Sequence, residues 1–239
     1  MTVFVDADAC PVTEIALRLC RETGTRCVLI CDTAHEMRRD GAETVTVDQG
    51  ADSADFRLVN LAKPGDLVVT QDYGLAAMCL GKGARVLHQD GWAYTADNID
   101  ALLLARFCEP KRAQKAADLC SGCGIVALEW HDRGHRGPCM GLELQPEGSA
   151  LLSAAVQEQD IGHIEPVCAD LRAFRQGEGS FDVCACNPPY FTAGPQSQNA
   201  AHALARHENT CTLDDVCACA FRLLKDGGRL ALCHRPERL

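Results

Sequence analysis

Ala116-Ala-Asp-Leu-Cys-Ser-Gly-Cys-Gly-Ile125 is the stretch that decides the fold of the second half of this chain. Its apolar start predicts a short buried strand ending at Leu119, and Ile125–Trp130 predicts the start of a helix. Gly122 and Gly124 fall in the turn between them, where the backbone can approach a bound molecule closely. A strand, a glycine turn and a helix in this order are typical of a parallel α/β sheet, although a plain connecting turn is the alternative.

Short apolar runs alternate with helix-like stretches along the whole chain. This alternation predicts parallel sheets with helices on both faces. A predicted helix at Asn98–Phe107 and a polar break at Glu109–Lys115 divide the chain into two α/β domains, residues 1–105 and 106–239. The predicted strands are Thr2–Val5, Arg26–Cys31, Thr44–Val47, Leu67–Thr70 and Arg85–Leu87, then Ala116–Leu119, Cys139–Leu144, Ile164–Cys168, Phe181–Cys186 and Arg229–Cys233.

Composition narrows the class of protein. The chain has 239 residues, 47% of them hydrophobic, and no apolar run long enough to cross a bilayer. An acid at Asp6 argues against a secretory signal, so we expect a cytoplasmic protein with no membrane partner and with its 16 cysteines reduced. The net charge of −10 argues mildly against tight nucleic-acid binding, although a local basic patch stays compatible with it.

Acidic residues follow three predicted structural elements of the first half. Because the carboxyl ends of parallel strands gather at one crevice, we expect these carboxylates to converge. Converging carboxylates favour Mg²⁺ or Mn²⁺, and two such ions can activate water for phosphodiester cleavage. Helix capping and turn chemistry are the alternative for each acid taken alone. The candidate metal ligands are Asp6, Asp8, Asp52, Asp55 and Asp72.

Three segments of the first half closely resemble the small bacterial YaiI/YqxD family. They are Val5-Asp-Ala-Asp-Ala-Cys-Pro-Val12, Gly50-Ala-Asp-Ser-Ala-Asp-Phe56 and Val69-Thr-Gln-Asp-Tyr-Gly-Leu-Ala76. The resemblance covers roughly residues 1–105. It implies a PIN-like fold, which is associated with metal-dependent nucleases, and a candidate acidic site. The basic tail expected after the last helix is absent here, which weakens an RNA-binding role for this domain.

Asn187-Pro-Pro-Tyr190 follows the fourth predicted strand of the second half. Prolines fix φ and lack N–H donors, so this loop presents rigid acceptors. The Asn187 side-chain oxygen and the Pro188 carbonyl are placed to accept from the amine of a planar base, and Tyr190 can stack on it. A structural Asx-Pro turn is the alternative. Glu143 lies at the end of the second strand, 21 residues after Gly122, a spacing that suits an acid bonded to ribose hydroxyls.

From about residue 100, the chain resembles bacterial tRNA adenine-N6 methyltransferases that modify a valine tRNA. This family belongs to the Rossmann-like superfamily that uses S-adenosylmethionine. The matching segments include Asp118–Gly124, Asn187–Phe191 and Ala205-Arg-His-Glu208. The resemblance implies an RNA substrate, with Arg206 and His207 near it or simply on a helix surface. It implies cofactor binding by Asp118, Cys120, Gly122, Gly124, Glu143 and Asp170, and base binding by Asn187, Pro188, Pro189 and Tyr190.

Two departures from that family leave three interpretations open. Cys120 stands where the pattern has its first glycine, and the chain ends at Leu239 where the family continues. We therefore expect an incomplete methyltransferase sheet that lacks its last two strands, with an exposed apolar edge at Arg229–Cys233 that could pair in an oligomer. The leading interpretation is a fusion of a PIN-like domain with an adenine-N6 methyltransferase domain. The others are a Mg²⁺-dependent nuclease and an inactive remnant that binds only cofactor or partner.

Overall fold

The computed structural model describes residues 1–7, 10–32, 39–47, 53–96, 98–188 and 211–234. The chain divides into two compact units, Met1–Ile99 and Asp100–Leu239. Each unit is built on its own mainly parallel sheet with helices packed against it, which confirms the predicted two-domain α/β class.

The first unit has a six-stranded sheet in the order β3-β2-β1-β4-β5-β6. Five strands are parallel, and the short β6 runs antiparallel to β5. The sequence did not predict β6, because two residues carry no periodicity. The elements are β1 Thr2–Asp6, α1 Thr13–Thr23, β2 Arg26–Asp32, β3 Glu43–Val47, α2 Ser53–Leu61, β4 Leu67–Val69, α3 Tyr73–Gly81, β5 Arg85–Leu87 and β6 Ala93–Tyr94.

The core of the first unit explains part of the cysteine content. Leu17 of α1 packs on Val5 and Leu29 of the central strands, and Cys20 and Cys27 complete the same cluster. All 16 cysteines of the chain are free thiols, and most are buried. Their positions in apolar cores agree with the prediction that they act as small hydrophobic side chains.

The second unit has five parallel strands in the order β11-β10-β7-β8-β9. In chain order this is 3-2-1-4-5 read from β9, and the first strand, β7, lies at the centre. Its carboxyl end and that of β10 are therefore neighbours. The elements are α4 Ile99–Phe107, β7 Ala116–Leu119, α5 Ile125–Asp132, β8 Cys139–Glu143, α6 Pro146–Glu158, β9 Ile164–Cys168, β10 Phe181–Cys186, α7 Leu213–Leu223 and β11 Leu224–Leu232.

Helix α4 packs in the core of the second unit. Leu104 and Ala105 join the cluster formed around Trp130, and the Trp130 Nε1–H donates to the Ala105 carbonyl at 3.0 Å. The second compact unit therefore begins at Asp100, one residue into α4, whereas the predicted second domain begins at residue 106.

Strand β11 is longer than predicted. It begins at Leu224 opposite Phe181, and its register then shifts so that Arg229 pairs with Val183. Gly227, with φ +77°, lies within the shifted stretch and permits the bulge. The strand occupies one end of the sheet order, where Ala231 is buried and Arg229 is exposed.

Candidate cofactor and substrate site

Two of the candidate metal ligands, Asp6 and Asp72, form hydrogen bonds with Thr70, the residue that follows β4. The Thr70 hydroxyl donates to buried Asp6 at 2.8 Å and accepts from the Asp72 N–H at 3.0 Å. Asp72 in turn is the N-cap of α3, since its Oδ1 accepts from the Leu75 N–H at 2.8 Å. Asp72 therefore has the capping role that was the structural alternative.

Asp55 lies in the first turn of α2 and is partly buried. Burial raises the pKa of Cys79 to about 11, and both Asp55 and Asp6 add to that rise, so the two carboxyls lie near the same thiol. Asp8 and Asp52 lie outside the described residues. Among the residues that are described, no group of three or more His, Cys, Asp or Glu side chains is arranged to hold a metal ion. The structure thus gives the Mg²⁺ or Mn²⁺ prediction no support.

The turn between β7 and α5 has the backbone shape that favours glycine. Cys120 and Gly122 both have φ +55°, and Gly124 has φ +85°. A non-glycine residue in this left-handed region is strained by roughly 1 to 2 kcal/mol. The departure at Cys120 therefore falls at a position where the backbone does require the conformation that the usual glycine adopts freely.

Glycines in the turn, in β8 and in α6 allow these three segments to pack closely against one another. A Cβ at Gly124 would lie 2.3 Å from Leu152 Cδ1, and a Cβ at Gly141 would lie 2.4 Å from Leu152 Cδ2. A Cβ at Gly148 would meet the Gly122 carbonyl oxygen at 3.0 Å. Sequence reasoning missed Gly141 and Gly148, because a glycine within a strand or helix has no local signal of such close packing.

Glu143 ties the glycine turn to the end of β8. The Gly122 N–H donates to Oε2 and the Gln145 N–H donates to Oε1, each at 2.7 Å. The side chain is 7% exposed. A carboxylate offers about four acceptor positions, so two remain after these bonds. The backbone thus fixes the orientation of Glu143 and leaves it capacity to accept from a ligand.

Asp118 lies beneath the turn and is 1% exposed. The Ala127 N–H of α5 donates to its Oδ2 at 3.3 Å. Burial raises the pKa of Asp118 to about 8, against the lowering effect of that hydrogen bond, and the nearby charge of Glu143 raises it further. The carboxyl is therefore mostly protonated at neutral pH, and it supports the turn from the interior.

Asp170 follows β9 and is paired within its own loop. Arg172 Nη2 lies 2.6 Å from Asp170 Oδ2, and Arg172 Nε lies 3.0 Å from both carboxylate oxygens. The Arg172 hydrogen bonds hold the pKa of Asp170 below its usual range. The carboxylate is therefore charged at neutral pH, and a ligand amine reaching it would share it with Arg172.

The carboxyl ends of β7 and β10 are adjacent, since Leu119 pairs with Cys186. Asn187 and Ser121 follow these ends, and each has a buried side-chain oxygen with no hydrogen-bond partner among the described residues. An unsatisfied buried oxygen costs about 1 to 3 kcal/mol, so the Asn187 oxygen beside the turn indicates a polar partner that the described residues do not supply. Pro188 is buried, whereas Pro189, Tyr190, Arg206 and His207 lie outside the described residues.

A group of thiols that sequence reasoning missed borders this place. The Cys120 and Cys211 Sγ atoms are 3.9 Å apart, and Cys120 also forms a hydrogen bond with Cys186. That bond raises the pKa of Cys120 well above its usual range. The pKa values of Cys186 and Cys211 are also raised, so the three thiols are protonated at neutral pH.

Residues 4–118 match the protein family described as "Uncharacterized BCR, YaiI/YqxD family". A "UPF0178 protein" of Alkaliphilus oremlandii is 50% identical over 106 residues, which are 44% of this chain and 68% of that protein. The chain belongs to the YaiI/YqxD family. A second relative, from Natranaerobius thermophilus, is 46% identical over 115 residues, or 48% of this chain and 78% of that protein. The predicted YaiI/YqxD resemblance of the first half is confirmed.

Residues 116–228 match the family described as "Methyltransferase domain". The solved structure of YcgJ from Bacillus subtilis is 20% identical, with a TM-score of 0.43, over 56% of this chain and 49% of that one. A S-adenosylmethionine-dependent methyltransferase from Aquifex aeolicus is 12% identical, with a TM-score of 0.43, over 58% of this chain and 66% of that one. This YaiI/YqxD chain therefore spans about half to two thirds of these two structures. The family match confirms the predicted methyltransferase domain, and the valine-tRNA specificity stays a prediction.

In the parts of the chain that the structure describes, every helix is too short or too polar to cross a bilayer.

Proposed function

We propose that the second unit transfers a methyl group from S-adenosylmethionine to the amino nitrogen of an adenine in RNA, with tRNA as the substrate. The observation that carries this proposal is the pairing of Leu119 with Cys186, which sets the glycine turn beside Asn187. Among the described residues the buried Oδ1 of Asn187 has no hydrogen-bond partner, and it is the kind of acceptor that an adenine amino group requires.

The residues around the turn fit the cofactor. A Cβ at Gly122 would meet no atom within 4 Å, so this part of the turn leaves the backbone open to close approach by the amino-acid part of the cofactor. Glu143 has two acceptor positions left for the ribose hydroxyls. Leu144, which is 40% exposed beside Glu143, offers an apolar surface to the adenine ring.

When bound, the cofactor supplies a methyl group on a positively charged sulfur. The task of this chain is to hold the target nitrogen in line with that methyl group, and placement of this kind accounts for much of the catalysis. The Asn187 oxygen and the Pro188 carbonyl accept from the two N–H bonds, which directs the nitrogen lone pair towards the methyl group. Preorganised acceptors also favour the positive charge that develops on the nitrogen.

Two variants separate cofactor binding from transfer. Calorimetry with S-adenosylhomocysteine should show binding to the full chain, and Glu143→Ala should abolish it by removing the ribose acceptor. Asn187→Ala should bind the cofactor normally. It should fail to methylate tRNA prepared from cells that lack adenine-N6 methylation, as measured by mass spectrometry of the digested nucleosides.

Three results bear against the proposal in different ways. Absence of S-adenosylhomocysteine binding to the unaltered chain would overturn the cofactor assignment. Normal transfer by Asn187→Ala would remove Asn187 from the reaction. A methyl group found on a nucleoside other than adenosine would overturn the assigned target while leaving methyl transfer in place.

A further inference from the structure

A pocket of the methyltransferase unit lies at the end of the strands opposite to the glycine turn and Asn187. Its volume is about 410 Å³, which suits a small organic ligand. Lys115, Pro138 and His163, which line it, immediately precede β7, β8 and β9. The pocket is therefore at the amino ends of the strands, whereas the glycine turn and Asn187 are at the carboxyl ends.

Two cations line this pocket without a carboxylate partner among the described residues. The Lys115 Nζ donates to the Ser180 hydroxyl at 2.7 Å and lies 4.3 Å from the centre of the Phe181 ring. Arg136 Nη1 donates to the His131 and His135 carbonyl oxygens, each at 2.6 Å. Neutral acceptors thus orient both side chains, and neither cation forms an ion pair with a carboxylate among the described residues.

Two other cations of this unit have carboxylate partners. Arg133 pairs with Glu109, and Lys225 pairs with Asp182. In a chain of net charge −10, two cations left over in one concave site indicate an anionic ligand. A guanidinium fork together with an ammonium point charge is a common way to bind phosphate.

The rest of the lining limits what the phosphate is attached to. Met140 and Val167, which belong to the same core cluster, give the pocket an apolar side. Glu165, the one carboxylate among the lining residues, would repel a second anionic group but can accept from hydroxyl groups. A nucleoside monophosphate has all three matching features: one phosphate, ribose hydroxyl groups, and a planar base whose faces can pack on an apolar surface.

We propose that this pocket binds a terminal nucleoside phosphate, with Lys115 and Arg136 on the phosphate, Glu165 on the ribose and the apolar side against the base. The phosphate can belong to a free mononucleotide or to the 5′ end of an RNA. The site is separate from the proposed methyl-transfer site, and its occupation does not depend on S-adenosylmethionine.

Calorimetry with adenosine 5′-monophosphate tests the pocket in the full chain. Excess S-adenosylhomocysteine is included so that the adenine cannot enter the other site. We expect saturable binding of the nucleotide, weaker binding of inorganic phosphate, and none of adenosine. A 5′-phosphorylated RNA trinucleotide that binds more tightly than the mononucleotide would assign the pocket to an RNA end, and equal affinity would assign it to free nucleotides.

Charge variants connect the binding to this pocket. Lys115→Met and Arg136→Gln should each weaken nucleotide binding about 10- to 100-fold, since each removes a charged hydrogen-bond donor. Lys115→Arg should restore binding. Lys111→Met removes the same charge from an exposed residue outside the lining and should have no effect. All four variants should bind S-adenosylhomocysteine like the parent chain, which keeps this test independent of the proposed methyl transfer.

The proposal fails if the unaltered chain does not bind adenosine 5′-monophosphate at millimolar concentration. It also fails if adenosine binds as well as its phosphate, or if Lys111→Met weakens binding as much as Lys115→Met does. Circular dichroism of each variant excludes loss of binding through unfolding, and Arg136→Gln serves as the second test should Lys115→Met not fold.

Discussion

Asp118→Asn should change how the stability of the second unit depends on pH. The buried carboxyl has a pKa of about 8 in the folded chain, against an ordinary value of 3.8. Between these values the unfolded chain has lost the proton and the folded chain still holds it, so the stability of the parent protein falls as pH rises. Asparagine has the same shape as the protonated acid and does not titrate, so the variant should not show this fall.

The size of the effect follows from the pKa difference. Each unit corresponds to about 1.4 kcal/mol, so the difference of about four units amounts to roughly 5 kcal/mol by pH 8. That is as large as the whole stability of a marginal domain. The advantage of Asp118→Asn over the parent chain should therefore grow by about 1.4 kcal/mol per pH unit between pH 5 and pH 7.5.

Urea unfolding at several pH values measures this slope. Each unit contains one tryptophan, and Trp130 of the second unit is fully buried whereas Trp92 of the first is 36% exposed. A Trp92→Phe background leaves Trp130 as the only tryptophan signal. Comparison of the two proteins cancels the titration of the histidines and thiols that they share, and a reducing agent prevents cysteine cross-links.

Parallel stability curves for the two proteins across this pH range would refute the reasoning. They would mean that Asp118 is ionised in the folded chain, with a charge compensated in place. A constant offset between the curves would not matter, because a change in the hydrogen bond from Ala127 shifts the stability equally at every pH. Only a difference in the pH slope of the unfolding free energy between the two proteins shows that Asp118 is protonated in the folded chain.

Gly141→Ala should destabilise the second unit by about 1 to 3 kcal/mol in urea unfolding, because the new Cβ overlaps Leu152. Leu152→Val in the same chain should recover part of the loss, and no recovery would argue against the steric cause. Thr212→Ala should cost about 1 kcal/mol by removing the capping box of α7, whereas Thr212→Ser should cost little. Iodoacetamide should alkylate exposed Cys123 of the glycine turn more slowly when S-adenosylhomocysteine is bound. Cys217, also exposed, is the reference, and equal protection factors in peptide mass spectra would contradict a cofactor on the turn.

The sequence predicted the strands well where apolar runs were short and bounded by glycine or polar residues. Ala116–Leu119, Ile164–Cys168 and Phe181–Cys186 have their predicted bounds. Ala116–Leu119 and Phe181–Cys186 are buried on both faces, so their composition alone marks them, whereas Ile164–Cys168 at the end of the sheet is partly exposed. Helix α6 received no prediction, although Pro146 at its first turn is a recognised start signal, because its apolar residues form no regular stripe.

The candidate site was predictable in its residue types and not in its contacts. Glu143 and Asn187 were assigned from their positions after strands, and the sheet order does bring Asn187 beside the glycine turn. That Asp72 caps α3 and that Asp170 pairs with Arg172 depends on side-chain geometry, which a strand-end rule does not contain. The thiols of Cys120 and Cys211 are in contact although the two residues are far apart in sequence, so no local sequence pattern predicts this contact.

Helix α4 decides where a fragment of the second half should begin. The YaiI/YqxD match runs through it to residue 118, yet its apolar side chains are buried around Trp130 of the methyltransferase unit. A helix within the YaiI/YqxD match thus completes the core of the unit that carries the methyltransferase match. A fragment that starts at residue 106 would lack most of this helix and would expose the Trp130 side chain. A fragment that starts at residue 98 would keep the helix and its packing against Trp130.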